Sequence, residues 1–224
     1  MLTPYGKREI ILSIVFASLL FGVCFVLFVI TGSSVFKYLI SVPLLIILFT
    51  LFFFRDPKRK ITYRDCAILS PCDGYVTHID TAEEPYFFKG KAQRVSIFMT
   101  MFDVHVQRSP INGEVIFLEH HPGQFLNAQK EASLSKNENN VIGIKTDYGF
   151  PILVKQIAGV FARRIVCRVN KGDRITQGEK IGMVKFGSRG EIWLPLDVEF
   201  EVLVKKGEHV KGGLTVLGRV KNCP

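Results

Sequence analysis

The sequence predicts a mainly β protein, a compact β-sandwich or barrel-sandwich hybrid behind an N-terminal two-helix transmembrane hairpin. Three observations carry this. The apolar excess of the 224-residue chain (48% apolar, mean hydropathy +0.25) is concentrated in its first quarter. The remainder breaks into short Val-, Ile- and Phe-rich runs punctuated by Gly and Pro. Two of its segments recur as imperfect internal repeats. Disordered, collagen-like and low-complexity classes are excluded.

Residues 10–30 carry no charge, and at about 1.5 Å per residue a helix of that length covers the roughly 30 Å hydrocarbon core of a bilayer. A second uncharged run, Tyr38–Phe54, lies at the short end of the spanning range and lengthens backwards through Val35 and Phe36 if Lys37 snorkels; spans of about 10–30 and 36–54 result. Thr31-Gly32-Ser33-Ser34 joins them into a hairpin. A signal peptide fits less well, because no small-residue cleavage site follows the first run and a second apolar run does. Lys7 and Arg8 precede the hairpin and Arg55, Lys58, Arg59 and Lys60 follow it, so the positive-inside bias puts both ends in the cytoplasm. The expected layout is hairpin 1–54, basic linker 55–64 and β domain 65–224, at the cell membrane with the β domain cytoplasmic.

Strand-like runs include Arg94–Met99, Gly113–Leu118 and Leu196–Val204. In the last, Leu196, Val198, Phe200 and Val202 alternate with Asp197, Glu199 and Glu201, the period of a half-buried strand. Helical pattern is scarce, with 125–134 the best candidate. Ser70-Pro-Cys-Asp-Gly-Tyr-Val76 recurs 39 residues later as Ser109-Pro-Ile-Asn-Gly-Glu-Val115, and Lys171-Gly-Asp-Arg-Ile175 with Gly178 and Ile181 recurs 35 residues later as Lys206-Gly-Glu-His-Val210 with Gly213 and Val216. Such units resemble the turn-and-strand hairpins of biotinyl/lipoyl-type domains, which implies the sandwich or hybrid architecture; recurrence of common turn residues is the competing explanation.

Three of the 29 Lys/Arg and one of the 20 Asp/Glu lie in residues 1–54, so residues 55–224 carry a net charge of +7. A basic domain tethered at a cytoplasmic leaflet is attracted to anionic headgroups; simple solvation is the alternative, and no dense basic cluster with interleaved aromatics marks a nucleic-acid partner. The five cysteines include no CxxC pair, which argues against a zinc site or disulfide framework and suits a reducing compartment.

A Gly-Ser dipeptide alone carries no information, but Gly187-Ser188 sits in Phe186-Gly-Ser-Arg189 between the strand-like run 181–186 and a new apolar run beginning at Glu191. Together with the two spans, Ser70–Val76, Phe98-Met-Thr-Met-Phe-Asp-Val-His-Val-Gln-Arg108, Pro110 with Gly113, His121-Pro-Gly-Gln-Phe-Leu-Asn-Ala128 and the Lys171-Gly-Asp block, it resembles the short type of phosphatidylserine decarboxylase proenzyme, a family that includes archaetidylserine decarboxylases. The resemblance implies that Ser188 attacks the Gly187 carbonyl, that the chain breaks there into 1–187 and 188–224, and that Ser188 becomes a covalent pyruvoyl cofactor. The pyruvoyl ketone then takes the serine amine of an anionic phospholipid as a Schiff base, and carbon dioxide leaves to give phosphatidylethanolamine. A serine hydroxyl needs a base and an orienting residue. The resemblance assigns these to His105 and Asp73, with a strand histidine and a turn aspartate as their structural alternatives. His78, His120, His121 and His209 are further possible bases.

Longer members carry a second histidine where this chain has Arg108, leaving Arg108 as a phosphate or carboxylate contact or a surface arginine. Asn137-Glu-Asn-Asn140 replaces an Asn-Glu-Arg and is a candidate substrate loop, and Arg189 is a candidate phosphate ligand. The implied partners are the phospholipid and membrane, the two chains of one proenzyme and a possible homodimer; no metal or nucleic acid is implied. The competing function is a membrane-tethered biotinyl/lipoyl-like adaptor or carrier without catalysis, for which Lys185 is the nearest lysine, though it lies within an apolar run. A serine hydrolase is disfavoured because no G-x-S-x-G elbow is present.

Overall fold

The computed structural model describes residues 1–128, 133–160, 165–185, 187–221 and 223. The chain forms two compact units, Met1–Lys58 and Arg59–Pro224.

In the first unit a short 3₁₀ turn, Pro4–Gly6, leads into α1 (Lys7–Thr31), followed by α2 (Ser34–Leu39) and α3 (Ser41–Phe53). The helical stretches 4–31 and 34–53 are each long and apolar enough to cross a membrane. Gly32, at φ +63°, ends α1 with its N–H on the Phe28 carbonyl, and the Ser33 hydroxyl accepts the Val35 N–H to start α2. The helix breaks at Ile40 because Pro43 has no N–H for the Leu39 carbonyl. Ser13 and Thr50 share a hydrogen bond of 2.8 Å that fastens α1 to α3, the kind of polar contact that holds helices together where apolar contact alone gives no preference.

The second unit is mainly β. Its strands are β1 (Ala67–Leu69), β2 (Gly74–Glu84), β3 (Gly90–Phe98), β4 (Val106–Arg108), β5 (Gly113–His121), β6 (Asn139–Thr146), β7 (Pro151–Ile157), β8 (Ile165–Cys167), β9 (Arg174–Ile175), β10 (Lys180–Val184), β11 (Arg189–Pro195), β12 (Phe200–Val202), β13 (His209–Val210) and β14 (Val216–Val220). A curled, half-barrel sheet of eight strands runs β13-β2-β3-β11-β7-β6-β5-β9, and two three-stranded sheets run β1-β14-β12 and β4-β10-β8; every pairing is antiparallel.

The strand order is palindromic because the two sequence repeats fold alike. The Ser70 hydroxyl bonds the Cys72 carbonyl (2.6 Å) and the Ser109 hydroxyl bonds the Ile111 carbonyl (2.7 Å). Gly213 N–H donates to Ser70 O and Gly178 N–H to Ser109 O, both at 2.8 Å, while Gly207 and Gly172 donate to Val76 and Val115. The halves meet reciprocally: Arg108 N–H bonds Pro71 O at 2.8 Å and Leu69 N–H bonds Pro110 O at 2.9 Å. Gly74 and Gly113 open β2 and β5 against neighbouring carbonyls so closely that a Cβ there would lie 2.2 Å from Phe98 O or 2.3 Å from Lys145 O. That close approach is why the S-P-x-x-G-x-V pattern repeats.

The eight-stranded sheet buries both faces at its centre. One face packs Val76, Ile97, Ile144, Val154 and Ile192 into the main core; the other packs Ala92, Val141, Leu153 and Trp193 beneath Tyr86, Phe87 and Phe88. The covering turn is held by the buried Glu84 carboxylate, which accepts the N–H groups of those three aromatic residues.

Two sequence expectations are corrected. Leu196–Val204 is not one strand: Pro195 ends β11, Val198 N–H closes a turn onto Pro195 O, and Gln93 Nε2 clasps both carbonyls, so only Phe200–Val202 pairs. Nor are Phe125–Ala128 helical: Asn137 holds Leu126 through both its N–H and its carbonyl, Gln124 bridges to Asn137, and a single helical turn, α4 (Ser133–Lys136), follows, with 129–132 outside the described residues.

Gly74→Ala should lower stability by about 3 kcal/mol, the upper range for combined strain and backbone collision, whereas Gly149→Ala, where a Cβ meets nothing within 4 Å, should cost about 1 kcal/mol. Thermal midpoints of the detergent-solubilised chains would check this; equal losses would contradict it.

Candidate active site

Gly187 and Ser188 form the link from β10 to β11; the preceding Phe186 lies outside the described residues. Gly187 is at φ +61° with open space where a side chain would stand. Ser188 is fully buried. Its hydroxyl donates to the Val184 carbonyl at 3.4 Å and lies 3.8 Å from the Met99 sulfur, and its carbonyl accepts the Met99 N–H at 2.8 Å.

His105 is also fully buried. Its Nδ1 lies 2.9 Å from the Asp103 backbone carbonyl, and since a carbonyl only accepts, Nδ1 carries the hydrogen and Nε2 is the basic nitrogen of the neutral ring. The β4–β10 register pairs Val106 with Met183, so His105 stands one step further on, alongside Val184, the residue whose carbonyl receives the Ser188 hydroxyl.

The Asp103 side chain organises this corner. One carboxylate oxygen accepts the Thr100 N–H (2.8 Å) and hydroxyl (2.7 Å); the other lies 2.7 Å from His209 Nε2. Burial pushes the Asp103 pKa up, but the hydrogen bonds from Thr100 and His209 outweigh it and hold the carboxyl below the ordinary aspartate value.

Asp73 is placed differently. Both its oxygens bond the Arg59 guanidinium (2.6 and 2.7 Å) and Oδ1 also accepts Gly212 N–H at 2.8 Å. Its repeat counterpart Asn112 accepts Gln177 N–H at 2.6 Å in the same way, so the turn itself needs only an oxygen and the charge serves the buried ion pair. Cys72, next to Asp73 in the turn, has its thiol pKa raised by burial and then by the Asp73 and Asp103 carboxylates, and its sulfur packs under Gly190, where a Cβ would lie 2.7 Å from it. The two carboxylates therefore border the residue beneath Gly190, two positions beyond Ser188.

Strand alternation sends Arg189 to the opposite face from Ser188. Arg189 is fully buried, with Nε donating to Ala128 O (2.9 Å) and Nη1 at 3.1 Å from both His78 Nδ1 and Ser96 Oγ. Burial and then the Arg189 charge lower the His78 pKa. Arg108 is buried with Nη1 on Gly178 O at 2.9 Å and its stem against Gly213. His120 and His121 sit at the end of β5, His121 stacked on Tyr86. Asn137 and Asn140 are buried and structurally engaged, and Lys185 is buried rather than displayed at a tip. Among the described residues no group of three or more His, Cys, Asp or Glu could hold a metal.

Sequence reasoning missed Asp103, Met99 and a row of amides. Asn140 Nδ2 donates to Gln156 Oε1 (3.1 Å) and Gln156 Nε2 to Gln107 Oε1 (3.0 Å), leaving Gln107 Nε2 buried beside Gly190 with no hydrogen-bond partner among the described residues. Gln156 pairs with Gly190 in register, which puts this row on the face that carries Ser188. The proximity of Asp103 to His105 in the sequence was the one available signal.

The sequence model of phosphatidylserine decarboxylase matches residues 46–218, from the end of the second apolar helix through the Gly-Ser link to β14. The chain belongs to the phosphatidylserine decarboxylase family. The phosphatidylserine decarboxylase proenzyme of Carboxydothermus hydrogenoformans is 48% identical over 177 residues (79% of this chain, 82% of the relative), and that of Symbiobacterium thermophilum 46% identical over 173 residues (77% and 80%). The proenzyme of Desulfotalea psychrophila is 39% identical over 191 residues (85% and 88%).

Because the folded pKa of Asp103 is depressed, its stabilisation is fully present above the unfolded value near 4 and is lost as pH falls through the folded one. The thermal advantage of the parent over Asp103→Asn should therefore shrink on acidification below about pH 4. An advantage that stays constant from neutrality to pH 3 would contradict the assignment.

Proposed function

We propose that this chain is a proenzyme that cleaves itself between Gly187 and Ser188 and then decarboxylates phosphatidylserine to phosphatidylethanolamine with a pyruvoyl group derived from Ser188. The observation that carries the reading is the convergence of the Ser188 hydroxyl and His105 on Val184, at an open glycine turn, in a chain of this family.

In self-cleavage the Ser188 oxygen adds to the Gly187 carbonyl carbon while His105 Nε2 takes the hydroxyl proton. The Gly187–Ser188 C–N bond breaks as the amine is protonated, leaving an ester. Removal of the Ser188 Cα proton expels the ester oxygen, so that residues 1–187 end in a carboxylate and residue 188 is left unsaturated; water then replaces its nitrogen, which departs as ammonia. The Asp103 carbonyl supports the base by fixing its tautomer, and Asp73 supports it at one remove, through the Arg59 pair and the turn that carries Cys72 under Gly190.

A pyruvoyl group fits this position, since it retains the three carbons of Ser188 and the carbonyl that accepts the Met99 N–H. When formed it supplies an electrophilic ketone and an electron sink for loss of carbon dioxide. The Met99 N–H polarises the adjacent carbonyl, and the apolar surroundings, Met99 and Val184, exclude water and disfavour the charge that decarboxylation removes. Phosphate recognition by Arg108 or Arg189 requires exchange of bonds they now give to Gly178 and Ala128. The apolar helices and the basic charge outside them support a membrane setting with the β unit on the cytoplasmic side.

Intact mass under denaturing conditions tests the reading: the parent should give chains 1–187 and 188–224, the latter without a free α-amine, and Ser188→Ala a single inactive chain. A Ser188→Ala chain that still splits, or an active uncleaved parent, would end the proposal. His105→Gln should slow processing by about a hundredfold or more, the usual scale for losing a general base. Asp73→Asn keeps the acceptor for Gly212 that Asn112 provides for Gln177 but strips Arg59 of its carboxylate, so it should lose stability by about 3–5 kcal/mol and, at a temperature where it is still folded, process slowly; parental processing rates in the folded variant would remove the carboxylate from the mechanism.

A further inference from the structure

The turn leading into His105 is built to hold an apolar tip in solvent. Both Thr100 donors and His209 are tied to the buried Asp103 carboxylate, and between those anchors Met101 and Phe102 are 40% and 69% exposed. A phenylalanine gains by burial, yet Phe102 is the more exposed of the two. Beside the tip, His209 packs edge-on against Tyr75, itself 45% exposed, and β13, which carries His209, is flanked by exposed Lys205, Lys206 and Lys211. Glu208 is the carboxylate of that hairpin, and it accepts the Lys205 N–H. Single exposed apolar residues are ordinary, but an anchored aromatic tip rimmed by cations is the composition that partitions into an anionic lipid surface, with the ring at the acyl boundary and lysines on phosphates.

We propose that the Thr100–Asp103 turn is a lipid-docking tip that inserts Met101 and Phe102 into an anionic bilayer surface. The choice of a bilayer rests on the decarboxylase reading, which places the reacting headgroup at such a surface. It also gives the tip a purpose: Asp103 ends the turn and its carbonyl holds His105 Nδ1, so insertion brings the candidate base to the depth of the headgroups.

The test uses the full-length chain in vesicles containing anionic lipid with brominated acyl chains. The parent has one tryptophan, the buried Trp193, as a shielded background. Phe102→Trp should add emission that is blue-shifted and quenched by the brominated lipid, and Met101→Trp should do the same, guarding against damage from one substitution. Reversing Lys205, Lys206 and Lys211 to Glu should weaken the quenching. Water-like, unquenched emission at both positions overturns the proposal, as does a blue shift without quenching, which reports burial against protein such as a second copy. Equal quenching in zwitterionic vesicles and in the charge-reversed chain overturns the basic rim. The readout needs no turnover, so insertion without any carbon dioxide release from phosphatidylserine would fail the decarboxylase reading and leave the docking tip standing.

Discussion

Two backbone hydrogen bonds, Arg108 N–H to Pro71 O and Leu69 N–H to Pro110 O, hold the halves of the β unit in mutual register. Each ties the strand entering one Ser-Pro turn to the carbonyl of the other. From those turns β2 and β5 leave for the eight-stranded sheet, while β1 and β4 stay in the small ones. A slip of one residue at this junction would turn every side chain in the affected strands to the wrong face. Cys72, Asp73 and Arg108 all sit within it, and His105 and Gln107 follow from the register of β4.

The proposed site lies where the two halves differ. The repeat spacing matches Asp73 with Asn112 and His209 with Arg174. The duplicated turns need only an oxygen at the first pair, and the second is the exposed strand opposite the turn. On one side these positions hold a carboxylate paired with Arg59 and a histidine paired with Asp103; on the other, an amide and an arginine that reaches Asp147 at the surface. The repeat gives the frame, and the charges that only one half carries are the ones the proposed mechanism uses.

Much of that frame was legible. The apolar helices and the repeats show because length, periodicity and turn glycines are local properties, and Ser188 and His105 stand out as candidates because their motifs are contiguous. The Asp103–His209 pair and the Asn140–Gln156–Gln107 row were not legible, since each joins residues far apart whose types recur everywhere. Leu196–Val204 misled for a local reason: polar turn residues at 197 and 199 continued an alternation that Pro195 and the Gln93 clasp interrupt. The central strands also lack clean alternation because both their faces are buried. Arg59 reads as one more linker charge, yet it is a buried partner whose loss would leave Asp73 uncompensated at a cost of about 3–5 kcal/mol.

Strand β11 shows how such a fold would tolerate the proposed break in its own chain. Its residues pair with β3 along their whole length and with β7 over Arg189–Trp193, so the strand is hydrogen-bonded on both edges. On one face Glu191 takes the Ser96 hydroxyl and Trp193 Nε1, and Arg189 spans Ser96 and Ala128, a polar set sealed from water; on the other, Ser188, Gly190 and Ile192 meet the main core and the amide row. Downstream, β13 pairs with β2 and β14 with β1. Under the proposed cleavage all of these bonds except Trp193 Nε1 to Glu191 cross between the new chains, and the small chain stays fixed at its new end. The proposed reacting residue, Ser188, is thereby fixed at the very start of a doubly paired strand, with Met99 setting its carbonyl from just beyond the end of β3 and His105 standing in the turn between β3 and β4.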